Sequence, residues 1–250
     1  MDKKLILKVE DVSNTYSETH GFKKTEKKVL EHVSFEMYEG QIIGLVGESG
    51  SGKSTLAKCI LGMIDYSGTI THYTKHPQMV FQNSGSALNP SMPVGRILAE
   101  PLFLKGGMTK KERMEAVYEI IEAVGLKPEH VKSNPSQLSG GQRQRVCIAA
   151  AIISKPQLVI LDEPVSALDV TIQAQILELL ADLRKRYNLS YLFISHDLNV
   201  VYQLCDYVMV MRKGKVLEQG PVEEVYENPK NEYTKALLQA SDILIESAGI

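Results

Sequence analysis

The sequence has no tryptophan, five phenylalanines and only three cysteines in 250 residues. Cys59, Cys147 and Cys205 are odd in number, far apart and without paired spacing, which argues against a zinc site or a disulfide framework. They read as small buried thiols in a reducing compartment, with cytoplasm the default. A surplus of one charge is also missing, since 30 acidic side chains stand against 28 basic ones for a net −2. That balance implies no global attraction to nucleic acid, whose binders carry a basic face or stripe. Long apolar runs are absent too. The longest, residues 146–153, has eight residues, where a membrane span needs about twenty, and Leu5-Ile6-Leu7 is too short for a signal-peptide core. A chain of this length can bury roughly 70–75% of its unfolded surface, so disorder is a poor reading and one large domain is as plausible as two small ones.

What is present alternates strand and helix. Residues 5–12 and 33–37 alternate apolar and polar in part, as half-buried strands do, and the polar, lysine-bearing residues 17–28 between them read as a loop. Ile42-Ile43-Gly44-Leu45-Val46 is a short apolar strand running into a glycine-rich stretch, after which Leu56, Cys59/Ile60 and Met63 keep helical spacing. Residues 89–137 carry little strand signal; Thr109 and Glu112 form a capping-box pattern, and Gly125 sits where a helix C-terminus wants it. Residues 158–161 and 192–194 are continuous apolar runs of the kind found in strands covered on both faces. Between them a helix is expected with Asp169 as its cap. Lys213-Gly214 suggests the turn of a closing hairpin. The alternation predicts an α/β fold with a mainly parallel sheet and helices on both sides.

Three motifs carry chemistry. Gly47-Glu48-Ser49-Gly50-Ser51-Gly52-Lys53-Ser54 has the phosphate-loop spacing: glycines let successive N–H groups turn inward, the helix start adds its dipole, Lys53 supplies a mobile positive charge, and Ser54 can ligand Mg²⁺. The apolar strand 158–161 ends in Asp162-Glu163, two carboxylates that would repel each other unless a cation sits there; Asp162 would hold the metal and Glu163 is the candidate base for an attacking water. In Leu138-Ser139-Gly140-Gly141-Gln142 a second capping box, Ser139 with Gln142, opens a helix whose two glycines leave bare N–H groups facing outward. By itself that segment is equally an ordinary helix start or an anion site.

Taken in order, these motifs resemble those of the ATP-binding-cassette family over nearly the whole chain. The resemblance implies a phosphate-loop NTPase core with a mainly parallel sheet, a small antiparallel β subdomain and a helical signature subdomain at about residues 89–153, all within a single domain spanning 1–250. It implies that Ser139, Gly140, Gly141 and Gln142 are the signature segment, that Thr55 joins Gly47 to Ser54 in holding ATP, and that Tyr16 stacks on adenine. It further implies that Gln82 touches Mg²⁺ and water, that Asp169 belongs to the loop after the metal strand, and that His196 holds the γ-phosphate. In this family the signature segment of one subunit closes over the phosphate loop of another, so a second ATPase subunit is expected.

Several segments resemble the ATPase subunits of peptide and nickel importers, namely Ser86-Ala87-Leu88-Asn89-Pro90, Ala99-Glu100-Pro101-Leu102, residues 220–229 and Tyr233-Thr234-Lys235-Ala236-Leu237-Leu238. Lys53-Ser54-Thr55-Leu56 and Lys235-Ala236-Leu237-Leu238 favour the second of the two ATPase subunits such systems use. Asn231-Glu232 stands where the family usually has His-Pro, and residues 64–78 leave little room for the usual antiparallel region, so residues 73–77 are expected to form a trimmed loop. The resulting expectation is an ATPase on the cytoplasmic face of the membrane, using ATP and Mg²⁺ to drive uptake of peptides or nickel chelates. Its partners would be two permease subunits and an extracytoplasmic binding protein. The rival is a soluble mechanical ATPase acting on DNA or ribosomes. It is disfavoured because only about 85 residues, without heptads, separate the phosphate loop from the signature. A phosphate-loop kinase would leave the signature and His196 without a task.

Overall fold

In chain order the strands are β1 (Leu5–His20), β2 (Lys23–Tyr38), β3 (Ile42–Val46), β4 (Ser67–His72), β5 (Gln78–Val80), β6 (Leu158–Asp162), β7 (Ser190–Ile194), β8 (Tyr207–Arg212) and β9 (Lys215–Pro221). The described helices are α1 (Lys53–Ile60), α2 (Val94–Lys105), α3 (Lys110–Ala123), α4 (Gly140–Ile152), α5 (Val170–Tyr187), α6 (Leu198–Leu204), α7 (Val222–Glu227) and α8 (Glu232–Ala240). The structure, a computed structural model, describes residues 4–20, 23–82 and 87–241. Its elements divide into two compact units, Met1–Thr74 with Ser190–Ile250, and Lys75–Leu189.

The first unit holds an antiparallel sheet in the order β2-β1-β4 and a strand set in the order β7-β3-β8-β9. Strand β3 runs parallel to β7 and to β8, Leu45 facing Ile194 on one side and Met209 on the other. All residues of β3 and β7 are buried, which explains why both read as unbroken apolar runs rather than alternating ones. Each fully buried Leu, Ile or Phe there contributes about 1.5–3 kcal/mol. Helix α6 lies close over β3: a Cβ on Gly44 would stand 2.5 Å from Val201 Cγ1 and 3.1 Å from Cys205 Sγ. Strands β8 and β9 pair antiparallel through Lys213-Gly214, whose φ values of 45° and 82° are those of the expected tight turn.

One expectation is overturned here. Residues 17–20 and 23–28 are not a loop: β1 and β2 continue as an antiparallel ladder, with Tyr16 opposite Lys27, Ser17 opposite Glu26 and His20 opposite Lys23. Cross-strand backbone bonds need no apolar face once the hairpin is nucleated by its buried base, where Val9 faces Phe35 and Val12 faces Val33. Polarity alone therefore does not tell such a ribbon from a loop. The trimmed connection at residues 73–77 does lack strand structure, between β4 and β5.

The second unit pairs β5 with β6 in parallel, Met79 facing Ile160 and Val80 facing Leu161. Helix α3 starts on the expected capping box, Thr109 Oγ1 accepting from the Glu112 N–H at 3.2 Å and the Glu112 carboxylate from the Thr109 N–H at 2.6 Å. It ends before Gly125, at φ 69°, where Arg145 of α4 donates to the Val124 carbonyl at 2.6 Å. A cation on the free carbonyls of a helix end is favourable for both hydrogen bonding and dipole. Asp169 caps α5 as expected, accepting from the Ile172 N–H at 3.0 Å. The α/β class is thus borne out, with parallel strands, a small antiparallel sheet and a helical segment.

All three cysteines are free and buried. Burial pushes the Cys59 thiol up to about 11 and the Cys147 thiol up to about 12, the latter against a small opposing pull from Arg143. No helix among the described residues is long and apolar enough to cross a membrane. The close approach of α6 to β3 makes a sharp prediction: Gly44→Ala, usually a mild change in a strand, should lower stability by about 1–3 kcal/mol in urea unfolding because Val201 must move.

Candidate nucleotide site

The loop between β3 and α1 is shaped by what its glycines allow. Gly47 has φ 146°, and a Cβ there would stand 2.0 Å from the Met211 carbonyl oxygen of β8. Gly52, at φ 108°, would collide with the Val29 carbonyl oxygen at 2.9 Å. Both positions therefore accept only glycine, and they let the loop close against neighbouring backbone. At Gly50 nothing lies within 4 Å, so that side of the loop is open. Lys53, buried at the first position of α1, donates from Nζ to the Gly47 and Glu48 carbonyls at 2.7 and 3.0 Å, holding its ammonium inside the ring of the loop. The buried Ser51 hydroxyl makes no hydrogen bond among the described residues. Ser54 and Thr55 follow on the first turn, both half-buried. An inward cationic side chain, a positive helix start and an orphaned hydroxyl fit a polyphosphate.

Two further predicted residues lie in the same unit. Leu45 pairs with Ile194, so the loop and His196 leave the C-terminal ends of neighbouring parallel strands in step. His196 is exposed in a turn that Ser195 and Asp197 lock: the Ser195 N–H donates to the Leu45 carbonyl at 3.2 Å, and the Asp197 carboxylate caps α6. Tyr16, 42% exposed, lies two residues along β1 from Asn14, which pairs with Leu30, and Leu30 is among the atoms that crowd Gly52.

In the second unit the expected set is equally ordered. Val80 pairs with Leu161, and two residues beyond each lie Gln82 and Glu163, whose side chains meet with Gln82 Nε2 donating to Glu163 Oε2 at 2.9 Å. Glu163 has φ 47°, an uncommon conformation for a residue with a side chain, and its carbonyl accepts from Ser166. Asp162 is buried at the end of β6. The signature segment forms its capping box, Ser139 N–H to Gln142 at 2.9 Å and Gln142 N–H to Ser139 Oγ at 3.3 Å. Its two glycines differ in their surroundings. Gly140 is half-exposed, whereas Gly141 is buried and a Cβ on it would stand 2.7 Å from Ile172 Cγ2 of α5. Gly141 is small because a helix packs on it. Residues 83–86, including Ser86 of the importer-like stretch, lie outside the described residues. Beyond them a groove of about 690 Å³ runs between α2 and α3, lined by Met92, Pro93, Ala99, Phe103 and Met114 among others. Phe103 is 66% exposed beside it.

A glycine cradle around a buried lysine at a strand-to-helix turn defines a phosphate-loop nucleoside triphosphatase. The model of the ABC transporter family matches residues 30–166, more than half of the chain. The oligopeptide transport ATP-binding protein OppF of Bacillus subtilis is 45% identical over 85% of this chain and 76% of its own length. The dipeptide transport ATP-binding protein DppF of Escherichia coli is 42% identical over 94% and 76%. Among solved structures, the dimeric post-hydrolysis state of the ATP-binding cassette MJ0796 bound to ADP and Pi aligns with a TM-score of 0.74 at 26% identity, covering 87% of this chain and 99% of that one. CbiO1 of Clostridium perfringens, part of the ABC transporter complex cbiONQ, aligns with 0.77 at 28%, covering 90% and 92%. The chain belongs to the ABC transporter family. It is an ATP-hydrolysing, nucleotide-binding subunit and works as a component of a transporter complex.

Residue-pattern reasoning missed the contacts that hold the loop from outside. Gly214, read only as a turn residue, donates its N–H to the Ser51 carbonyl at 2.8 Å, and Tyr233 reaches the Glu48 N–H. Neither is adjacent in sequence, and neither residue type signals such a role. The packing of Gly141 is testable on its own. Alanine is about 1 kcal/mol better than glycine in a helix, yet Gly141→Ala should cost about 1–3 kcal/mol in urea unfolding because of Ile172. In an Ile172→Ala background the same change should become neutral or stabilising.

Proposed function

We propose that this ATPase energises import of peptides as a peripheral subunit on the cytoplasmic face of the membrane, and that the chain works as a single cassette with a helical subdomain near residues 89–153. The observation that carries the catalytic part is the Gln82–Glu163 hydrogen bond at the ends of paired strands, which orients a half-buried carboxylate as a base would need. In this reading Glu163 takes the proton of the attacking water, Gln82 aligns both, and His196 binds the γ-phosphate. Gly47 to Thr55 cradle the phosphates, Lys53 leaves the loop carbonyls for the β- and γ-phosphates, and Tyr16 stacks on adenine. Ser54, Asp162 and Gln82 offer hard oxygen donors, which suits Mg²⁺. The metal, when bound, neutralises charge developing on the transferred phosphoryl group.

Ser139 to Gln142 and Asp169 act on the nucleotide of a partner ATPase subunit, so that two ATP molecules lie between two cassettes. The half-exposed Gly140 at the first position of this helix supports this, because a helix start favours an anion. The apolar groove between α2 and α3 is the seat for a membrane subunit, one of two permeases, and an extracytoplasmic binding protein delivers the cargo. Peptide is preferred to nickel chelate as cargo because the named relatives OppF and DppF are oligopeptide and dipeptide transport proteins. No nucleic-acid partner is proposed.

Two variants test the catalytic assignments, and one assay tests the cargo. Glu163→Gln should keep ATP affinity while steady-state hydrolysis falls by about 10²- to 10⁴-fold; near-normal turnover would sink the role of Glu163. Lys53→Ala should lose productive ATP binding, measured by titration with a fluorescent ATP analogue, because the phosphate charge is no longer matched. In the assembled transporter, hydrolysis should rise with binding protein loaded with peptide; a response only to chelated nickel would reassign the cargo.

A further inference from the structure

The phosphate loop is held by the last elements of its own unit. Helix α8 begins at Asn231-Glu232, the pair that departs from the family pattern. Asn231 caps it by accepting from the Tyr233 N–H at 2.9 Å. This helix start is itself tied to β9: the Glu218 carboxylate accepts from the Lys230 N–H at 2.7 Å and the Asn231 N–H at 3.1 Å. The cap fixes the backbone of Tyr233, and the Arg212 guanidinium, 4.4 Å from the centroid of its ring, fixes the side chain. The Tyr233 hydroxyl then accepts from the backbone N–H of Glu48, the second residue of the phosphate loop, at 3.3 Å. Arg212 immediately precedes the turn whose Gly214 N–H holds the Ser51 carbonyl. The Glu48 carbonyl is in turn one of the two acceptors of Lys53 Nζ.

We propose that Tyr233 is a positioning residue for ATP binding: its hydroxyl fixes the orientation of the Glu48 peptide, and with it the loop conformation from which Lys53 meets the phosphates. The role rests on the reading of this loop as the ATP site. A loop already held in its binding shape loses less freedom when the ligand arrives, so the contact acts on affinity rather than on the chemical step. Burial pushes the phenol upward, so the hydroxyl stays neutral and able to accept from an N–H at physiological pH. The ring needs no change to do this. Removing only the hydroxyl leaves the stacking on Arg212 intact.

Tyr233→Phe is therefore the test, made in the full chain, with fluorescent ATP-analogue titration, steady-state ATP hydrolysis and the thermal midpoint of the nucleotide-free protein as readouts. The expected result is an analogue Kd and an ATP KM raised about 3- to 10-fold, the scale of one hydrogen bond, with kcat essentially unchanged and the nucleotide-free midpoint lowered by no more than about 4 °C. Unchanged Kd and KM, a fall in kcat that accompanies or replaces the affinity loss, or a midpoint drop larger than about 4 °C would overturn the positioning role. The two readings fail separately. A wild-type chain that binds no ATP removes the site itself, whereas a wild-type chain that binds ATP no better than Tyr233→Phe removes only the part given to Tyr233.

Discussion

Close approach of two backbones shapes the nucleotide loop. At Gly47 the loop passes so near the Met211 carbonyl that no side chain fits between them, and at Gly52 it does the same against Val29. Everything else in that unit is arranged around this contact. Strand β8 must lie parallel beside β3 for Met211 to be there, and β2 must return to the loop for Val29 to be there. The tight curve turns the Gly47 and Glu48 carbonyls toward the buried ammonium of Lys53, which helps to offset the cost of burying it. The glycines thus act less as hinges than as spaces that other chain segments occupy.

Glycine has a different use in the signature segment, although the two stretches look alike in composition. Gly141 has an ordinary helical backbone and no special φ, and its size is set by Ile172 one helix away. Gly140 is the one left half-exposed at the helix start. The two glycines are thereby set apart by what surrounds them: one admits a neighbouring helix, the other stays partly accessible. The Thr109 and Ser139 capping boxes show how the surrounding helical segment is anchored without long loops, each satisfying two N–H groups that a helix start leaves open.

Most of the elements were legible because their signals are local. A capping box lies within four residues, an apolar run shows a doubly covered strand, and Lys213-Gly214 shows its turn. The failure at residues 17–28 has the converse cause. A backbone ladder needs no apolar alternation, so polar residues there look like a loop although the ladder continues to His20 and Lys23. Within the site, the phosphate loop, Asp162-Glu163 and His196 stand at strand ends, where an apolar run breaks into polar residues and is visible in sequence. Gly214 and Tyr233 were illegible in that role because their contacts with the loop depend on β8, β9 and α8 returning to a segment more than 160 residues earlier. No spacing rule reaches that far.

The three thiols have a practical consequence. With Cys59, Cys147 and Cys205 all enclosed, and burial holding at least two of them far from the thiolate form at neutral pH, the native protein should present almost no background to maleimide chemistry. A cysteine introduced on the exposed ribbon or at the rim of the groove would then be the single reactive handle on the molecule. Spectroscopic rulers could follow the motion of the cassette during turnover without first stripping the native sequence of its sulfur.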